Sequence, residues 1–121
     1  MIELQEALRK KEIWAIGGGK GGIGKSLITG NIGITLARMK KKVLVVDADL
    51  GGANLHTTLG IGVPEMTLSD FLNRRVENIS DVIIKTAIPN LNLISGAQDF
   101  LDAANPNFAQ KTRLLRHLET L

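Results

Sequence analysis

One glycine-rich segment carries the most definite chemistry in this sequence. Residues 17–26 read GGGKGGIGKS, and residues 19–26 fit the spacing G-x-x-x-x-G-K-S. Glycines without a Cβ let the backbone curl, so that successive N–H groups can point at a phosphate tail. At this spacing Lys25 would reach the β- and γ-phosphates, and the Ser26 hydroxyl would ligate Mg²⁺. The segment therefore predicts a phosphate-binding loop for a magnesium nucleotide.

The same glycines also satisfy a dinucleotide-binding fingerprint. Gly17-x-Gly19-x-x-Gly22 and Gly19-x-Gly21-x-x-Gly24 both match it, and Asp47 could bind the ribose. The dinucleotide interpretation gives no role to Lys20, Lys25 or Ser26. A third interpretation, a flexible glycine-rich turn, leaves the same three residues unexplained. The phosphate-binding loop is the stronger prediction because it uses all three.

A second segment delivers two carboxylates. Residues 43–54 read VLVVDADLGGAN, an apolar run followed by Asp47 and Asp49. In open α/β sheets, ligands bind at the carboxyl ends of the strands. There Asp47 could hold a Mg²⁺-bound water, and Asp49 could orient or deprotonate an attacking water. The alternative is that one or both acids only cap the loop.

The elements that must position these residues form a βαβ unit. Residues 12–17 predict a buried strand, and residues 43–47 predict another that is buried on both faces. Between them the spacing predicts a helix from Lys25 to Met39. Its apolar stripe consists of Ile28, Ile32, Leu36 and Met39.

The remaining sequence predicts shorter elements around this unit. These are an N-terminal helix at residues 1–11, a helix at 67–74, strands at 82–88 and 91–95, and a helix at 107–121. We interpret His56 and His117 as surface residues and Ser95 as a turn residue, because none lies in a metal-ligand or nucleophile pattern. The fold class is α/β, with a partial parallel sheet flanked by helices.

Composition limits the classes of function. The 121 residues include no cysteine, which excludes disulfides and thiolate metal sites, and their formal net charge is +3. So small an excess of positive charge gives little reason to expect nucleic-acid binding. No apolar run approaches the roughly 18 residues that would span a bilayer. These features favour a cytoplasmic protein.

Together, the two motifs resemble those of a known family. The phosphate loop with its extra lysine, followed by VLVVDADLGGANL, resembles the deviant Walker A ATPases of the MinD/ParA class. Further along, TLSDFL and NLISGAQDFLDAANPNFAQKTRLLRHL resemble the MinD-like flagellar regulators FlhG and FleN. The resemblance implies a P-loop NTPase fold that binds ATP and Mg²⁺ and switches between states as an ATP-dependent homodimer.

Carried over residue by residue, the resemblance completes the predicted site. It implies that Lys20 reaches the phosphates of the partner subunit and that Asp49 positions the hydrolytic water. The predicted catalytic residues are Lys20, Lys25 and Asp49, and the metal residues are Ser26 and Asp47. The cofactor-binding residues are Gly19, Gly21, Gly22, Ile23, Gly24, Lys25, Ser26 and Leu27. Leu27 stands where many members have threonine, so only its backbone N–H is available to the α-phosphate.

The family also sets expectations about the whole protein. Its members continue with a Walker B strand after a helix like residues 107–121, so we expect residues 1–121 to be the N-terminal part of one ATPase domain. We expect this chain alone to be inactive. The resemblance further implies protein regulators and peripheral contact with the inner face of the membrane through a C-terminal helix. Alternatives are an Mrp-like iron–sulfur carrier scaffold and a metabolic P-loop enzyme, which would not need Lys20.

Overall fold

A computed structural model gives the fold and describes residues 11–14, 16, 23–48, 55–96 and 106–121. The helices are α1 (Ile23–Arg38), α2 (Leu55–Thr58), α3 (Leu68–Leu72) and α4 (Phe108–Glu119), with a 3₁₀ turn at Ile79–Val82. The strands are β1 (Val43–Val46), β2 (Ile83–Lys85) and β3 (Leu91–Ile94). None of these helices combines the length and apolarity that crossing a membrane requires. The predicted N-terminal helix lies outside the described residues, apart from Lys11.

The three described strands form a mixed sheet in the order β1-β3-β2. β1 and β3 are parallel, with Val43 opposite Leu91, whereas β2 and β3 are antiparallel, with Ile83 opposite Ile94. The prediction of a parallel sheet is therefore correct for one pair and wrong for the other. Only five residues join β2 to β3, and a parallel pair needs a crossover of a dozen or more.

Side-chain alternation in the strands divides the core into two layers. On one face of the sheet Val45, Leu91 and Leu93 pack with Ala37 of α1 and Leu55 of α2. The other layer consists of the second face of the sheet, α3 and the 3₁₀ turn. Helix α4 packs against this layer. The buried residues of the layer are Leu68, Phe71, Leu72, Ile79, Val82 and Ile94. Helices thus cover both faces, which confirms the α/β class and the prediction that residues 43–47 are buried on both faces.

The helix α1 is confirmed, but its predicted buried face is wrong. Ile28 is 54% exposed and Met39 is 62% exposed. The buried positions are instead Gly30, Gly33 and Ala37, three small residues on another face of the helix. Small residues bring the helix axis close to the sheet, and Ile34 packs beside them against the same core layer.

Gly33 is the closest point of this contact. A Cβ at Gly33 would lie 3.0 Å from Val45 Cγ1 and 3.3 Å from Leu91 Cδ1. Gly30 faces α2 in the same way, where a Cβ would lie 3.0 Å from Thr58 Cγ2. A Cβ at either position would therefore press on side chains of the core or of α2, which would have to shift by a few tenths of an ångström.

The strand predicted at residues 12–17 is not observed at the described positions. Lys11 to Trp14 and Ile16 have no strand structure, and Ile13 and Trp14 are 52% and 62% exposed. Lys11 instead lies at the C-terminal end of α4. Its Nζ donates to the carbonyls of Leu118 at 3.2 Å and Glu119 at 2.7 Å, and to that of Leu121. This contact holds Lys11 at the end of a helix, so the prediction of a buried strand from the local residues alone was wrong at these positions.

The close contact at Gly33 can be tested by enlarging the residue. Gly33→Leu should lower the free energy of unfolding by about 2 to 3 kcal/mol, because the new side chain overlaps Val45 and Leu91. Gly62→Leu is the matched control, since nothing lies within 4 Å of a Cβ there. Urea unfolding followed by circular dichroism measures both variants. Equal stability of the two would show that α1 does not pack on the sheet through Gly33.

Candidate phosphate site

The first turn of α1 carries the described half of the predicted phosphate loop. Gly24 and Lys25 are exposed, Ser26 is half-buried, and the side chain of Leu27 is 49% exposed. No acidic residue lies in this first turn. The positive end of the helix dipole therefore has no acidic side chain within its own first turn, and such a helix start favours a bound phosphate. Lys25 adds a positive charge at the same end.

Asp47 lies immediately after β1 and is 9% exposed. Its backbone N–H donates to the carbonyl of Ile94 at 2.9 Å, which continues the parallel pairing of β1 with β3. Its carboxylate oxygen Oδ2 accepts a hydrogen bond from the backbone N–H of Leu55 at 3.1 Å. Leu55 is the first residue of α2, so Asp47 fixes the start of that helix as well as the end of the strand.

The fold brings Asp47 and the first turn of α1 to the same edge of the sheet. A short turn joins α1 to β1. The two elements are in contact where Gly33 of α1 faces the side chain of Val45 in β1. Since α1 and β1 run in opposite directions, the start of the helix and the end of the strand point the same way. Ser26 lies about 10 Å along the helix from Gly33, and Asp47 lies about 7 Å along the strand from Val45. By this estimate the start of α1 and the end of β1 lie at the same edge of the sheet.

Several predicted site residues lie outside the described residues. These are the loop glycines Gly19, Gly21 and Gly22, together with Lys20 and Asp49. Ile23 begins α1, and only its backbone is described. The roles assigned to all these residues stay predictions. The hydrogen bond from Leu55 to Asp47 nevertheless fixes both ends of the segment that contains Asp49, because it joins residues eight positions apart.

Two residues that the sequence analysis set aside lie in this region. Ser95 is fully buried at the end of β3, beside Asp47, and its carbonyl accepts a hydrogen bond from the N–H of Leu68 at 2.6 Å. His56 is 5% exposed, so its interpretation as a surface residue is wrong. Its Nδ1 has no hydrogen-bond partner among the described residues. The sequence gives no signal for these positions, since neither residue belongs to a motif and their burial comes from tertiary packing.

The comparisons with known proteins agree with this architecture. A family model described as AAA domain matches residues 11–121. The antiactivator FleN of Pseudomonas aeruginosa is 40% identical over 73 residues, which are 60% of this chain and 25% of FleN. An iron–sulfur cluster carrier protein of Aquifex aeolicus is 38% identical over 61 residues, which are 50% of this chain and 17% of that protein.

Two solved structures are also similar. The cell division ATPase MinD of Pyrococcus furiosus matches with a TM-score of 0.74 and 35% identity over 88% of this chain and 43% of that chain. The septum site-determining protein MinD of Pyrococcus horikoshii, solved in complex with Mg-ADP, matches with a TM-score of 0.74 and 34% identity. That match covers 84% of this chain and 41% of the Pyrococcus horikoshii chain.

The chain therefore belongs to the AAA domain family and, within it, to the MinD/ParA class of P-loop ATPases. This membership confirms the resemblance found in the sequence. The chain spans about a quarter of the length of FleN and less than half of either MinD structure. Nucleotide binding, hydrolysis and assembly are accordingly matters for proposal.

Substitutions at Asp47 can test the structural role of its carboxylate. Asp47→Ala leaves the buried N–H of Leu55 without its acceptor and should cost about 1 to 3 kcal/mol of stability. Asp47→Asn keeps an acceptor oxygen, so its stability should stay within about 1 kcal/mol of the parent. Thermal unfolding of the two variants compares these values, with the exposed Asp81→Ala as control. If Asp47→Ala is as stable as Asp47→Asn, the hydrogen bond to Leu55 does not anchor the loop.

Proposed function

We propose that this chain provides the phosphate-binding part of an ATPase that acts as a dimeric molecular switch. The observation that carries the proposal is the shared sheet edge on which α1 presents Lys25 and Ser26 and β1 presents Asp47. A lysine, a hydroxyl and a carboxylate at one edge are what a magnesium nucleotide needs. The similar MinD of Pyrococcus horikoshii was solved with Mg-ADP, which supports the same ligand class here.

The switch would work through the segment between Asp47 and Leu55. Asp47 would hold a Mg²⁺-bound water while its Oδ2 still accepts the hydrogen bond from Leu55. A change in the metal site would then shift the start of α2 through this one side chain. Asp49 lies within this segment and would position the hydrolytic water. This arrangement supports a protein whose conformation follows the presence of the γ-phosphate.

The dimer is proposed from the extra lysine. An ATPase that works alone needs only Lys25, and the family resemblance assigns Lys20 to the phosphates of the partner subunit. Two chains would then close on two nucleotides, with each Lys20 neutralising transition-state charge in the other site. We place such a protein in the cytoplasm, with protein regulators and peripheral membrane contact in the whole protein.

The similarity to FleN favours a role in flagellar number or in spatial regulation. A second candidate, a nucleotide-dependent iron–sulfur carrier scaffold, is supported by the similarity to the Aquifex aeolicus protein. An iron–sulfur carrier needs thiolate ligands, and these 121 residues contain no cysteine. Iron and sulfide analysis of the whole protein, purified without oxygen, distinguishes the candidates because only the carrier would hold a cluster.

Removal of the phosphate lysine should abolish nucleotide binding. In the whole protein, Lys25→Ala should weaken Mg²⁺-ATP binding by at least about 100-fold, since a charge-assisted contact to the phosphates is lost. Lys42→Ala removes an exposed lysine beyond the other end of α1 and should leave affinity unchanged. Titration with a fluorescent ATP analogue measures both. Unchanged affinity in the Lys25 variant would contradict the proposed site.

Substitutions at the two remaining predicted catalytic residues should affect hydrolysis and dimerisation in different ways. Asp49→Ala should accumulate an ATP-bound dimer, because nucleotide binding persists while the hydrolytic water is no longer positioned. Lys20→Ala should bind ATP but hydrolyse it at least about 100-fold more slowly. Light scattering with and without Mg²⁺-ATP, combined with phosphate release, measures both effects. A monomer in the Asp49 variant would exclude the dimeric switch, and normal turnover in the Lys20 variant would favour a metabolic P-loop enzyme.

A further inference from the structure

A groove of about 650 Å³ runs along one side of α4, on the face of the sheet opposite α1. Arg74, which follows α3, lines it together with two rows of residues that recur at every fourth position along α4. One row is Phe108, Thr112, Arg116 and Thr120, and the other is Ala109, Arg113 and His117. A second helix packs between two such rows. The shape of the groove therefore suits a helix.

The groove carries positive charge that the described part of the chain does not neutralise. None of the described lining residues is acidic, and neither Arg74 nor Arg116 forms an ion pair with another described residue. Burial and the charge of Arg74 lower the pKa of Arg113, while the charge of Glu77 raises it. Arg74 and Arg113 are thus close enough to repel each other. A bound carboxylate would relieve this repulsion.

Arg74 has a backbone conformation that glycine adopts more readily. Its φ is 59°, in the left-handed region. Its N–H donates to the carbonyl of Phe71 at 3.2 Å, and the N–H of Arg75 donates to the carbonyl of Asp70 at 2.8 Å. These two bonds form a helix C-terminal motif in which glycine is the usual residue. The chain therefore carries a cation beside the groove at a position where folding alone favours glycine.

Apolar area adjoins these charges. Phe108 is 84% exposed, an unusual position for a large aromatic side chain, and no residue of α4 is fully buried. The guanidinium of Arg113 lies 3.9 Å from the centre of the Phe71 ring and donates to the Phe71 carbonyl at 2.7 Å. The fold thus fixes one arginine in place. The groove offers an exposed aromatic side chain next to arginines that form no ion pair within the described residues.

We propose that the groove along α4 binds an acidic amphipathic helix of a partner protein. Three turns of such a helix would cover α4, whose 12 residues extend about 18 Å. Its apolar side chains would cover Phe108, and its carboxylates would pair with Arg74 and Arg116. A DNA duplex offers phosphates without apolar side chains, and a flat bilayer surface does not follow a groove between rows of side chains. The groove lies away from the phosphate site, so this binding goes beyond the proposed ATPase function and does not depend on it.

A synthetic helix tests the proposal in the whole protein without nucleotide. The probe is a fluorescein-labelled peptide with leucines at helical spacing, glutamates on both sides of that stripe and alanines elsewhere. The control peptide has glutamine in place of every glutamate. Fluorescence anisotropy should show at least about tenfold tighter binding of the glutamate peptide at low salt, and the difference should shrink as salt screens the charges. Equal affinities, or no binding of the glutamate peptide at protein concentrations up to about 0.5 mM, would overturn the proposal.

Charge reversal locates the binding surface. Arg116→Glu should weaken binding of the glutamate peptide at least about tenfold, because attraction becomes repulsion. Lys42→Glu changes the net charge equally at an exposed position outside the groove and should have little effect. Equal losses in the two variants would contradict a specific groove. Binding of a DNA duplex or of phosphatidylserine vesicles that Arg116→Glu abolishes would also overturn the proposal, since the groove would then serve a different partner.

Arg74→Gly separates partner binding from folding. Glycine suits the left-handed conformation, so the variant should melt at the same temperature as the parent or at a higher one. It should nevertheless bind the glutamate peptide at least about threefold more weakly, since a cation beside the groove is lost. Circular dichroism on heating and fluorescence anisotropy measure the two effects. Unchanged peptide affinity or a lower melting temperature would each overturn the role proposed for Arg74.

Discussion

The close approach of α1 to the sheet is the contact on which the rest of the structure depends. Gly30 and Gly33 let the helix backbone reach the side chains of α2, Val45 and Leu91, with no Cβ between them. This distance determines how far the start of α1 projects over the carboxyl edge of the sheet. If larger residues separated the two elements, the first turn of α1 would move away from Asp47. The glycines of the helix therefore set the position of the first turn of α1.

Asp47 links the end of β1 to the start of α2. It continues the β1–β3 pairing through its backbone, and its carboxylate receives the N–H of Leu55 at the start of α2. Ser95 does the same for α3 at the end of the neighbouring strand, where its carbonyl accepts the N–H of Leu68. Each parallel strand thus ends by fixing the start of a short helix. A carboxylate has acceptor capacity for both a backbone N–H and a metal-bound water, so one residue can serve structure and chemistry together.

The two faces of the sheet serve different purposes in this arrangement. Helices α1 and α2 cover one face of the sheet, whereas α3 and α4 cover the other. Phe71 links the second layer internally, because its ring lies under Arg113 and 5.0 Å from the ring of His117. The proposed phosphate site and the surface of α4 therefore lie on different sides of the sheet.

The sequence alone determined the motif, the class and most of the elements. The spacing of Lys25 and Ser26 implies phosphate because few other ligands need a lysine and a hydroxyl after a glycine loop. The helices α1 and α4 and the strands β2 and β3 follow from local patterns of apolar residues. Local signals of this kind are complete within a few residues, so no tertiary contact is needed to recognise them.

Only the tertiary structure decided which faces are buried and which strands are neighbours. Periodicity favoured the large apolar residues of α1, yet close packing selected Gly33 and left Ile28 exposed. The burial of His56 and Ser95 and the position of Lys11 at the end of α4 depend on contacts between residues far apart in sequence. Such contacts are set by shape complementarity in the whole core, which no local pattern of residues records.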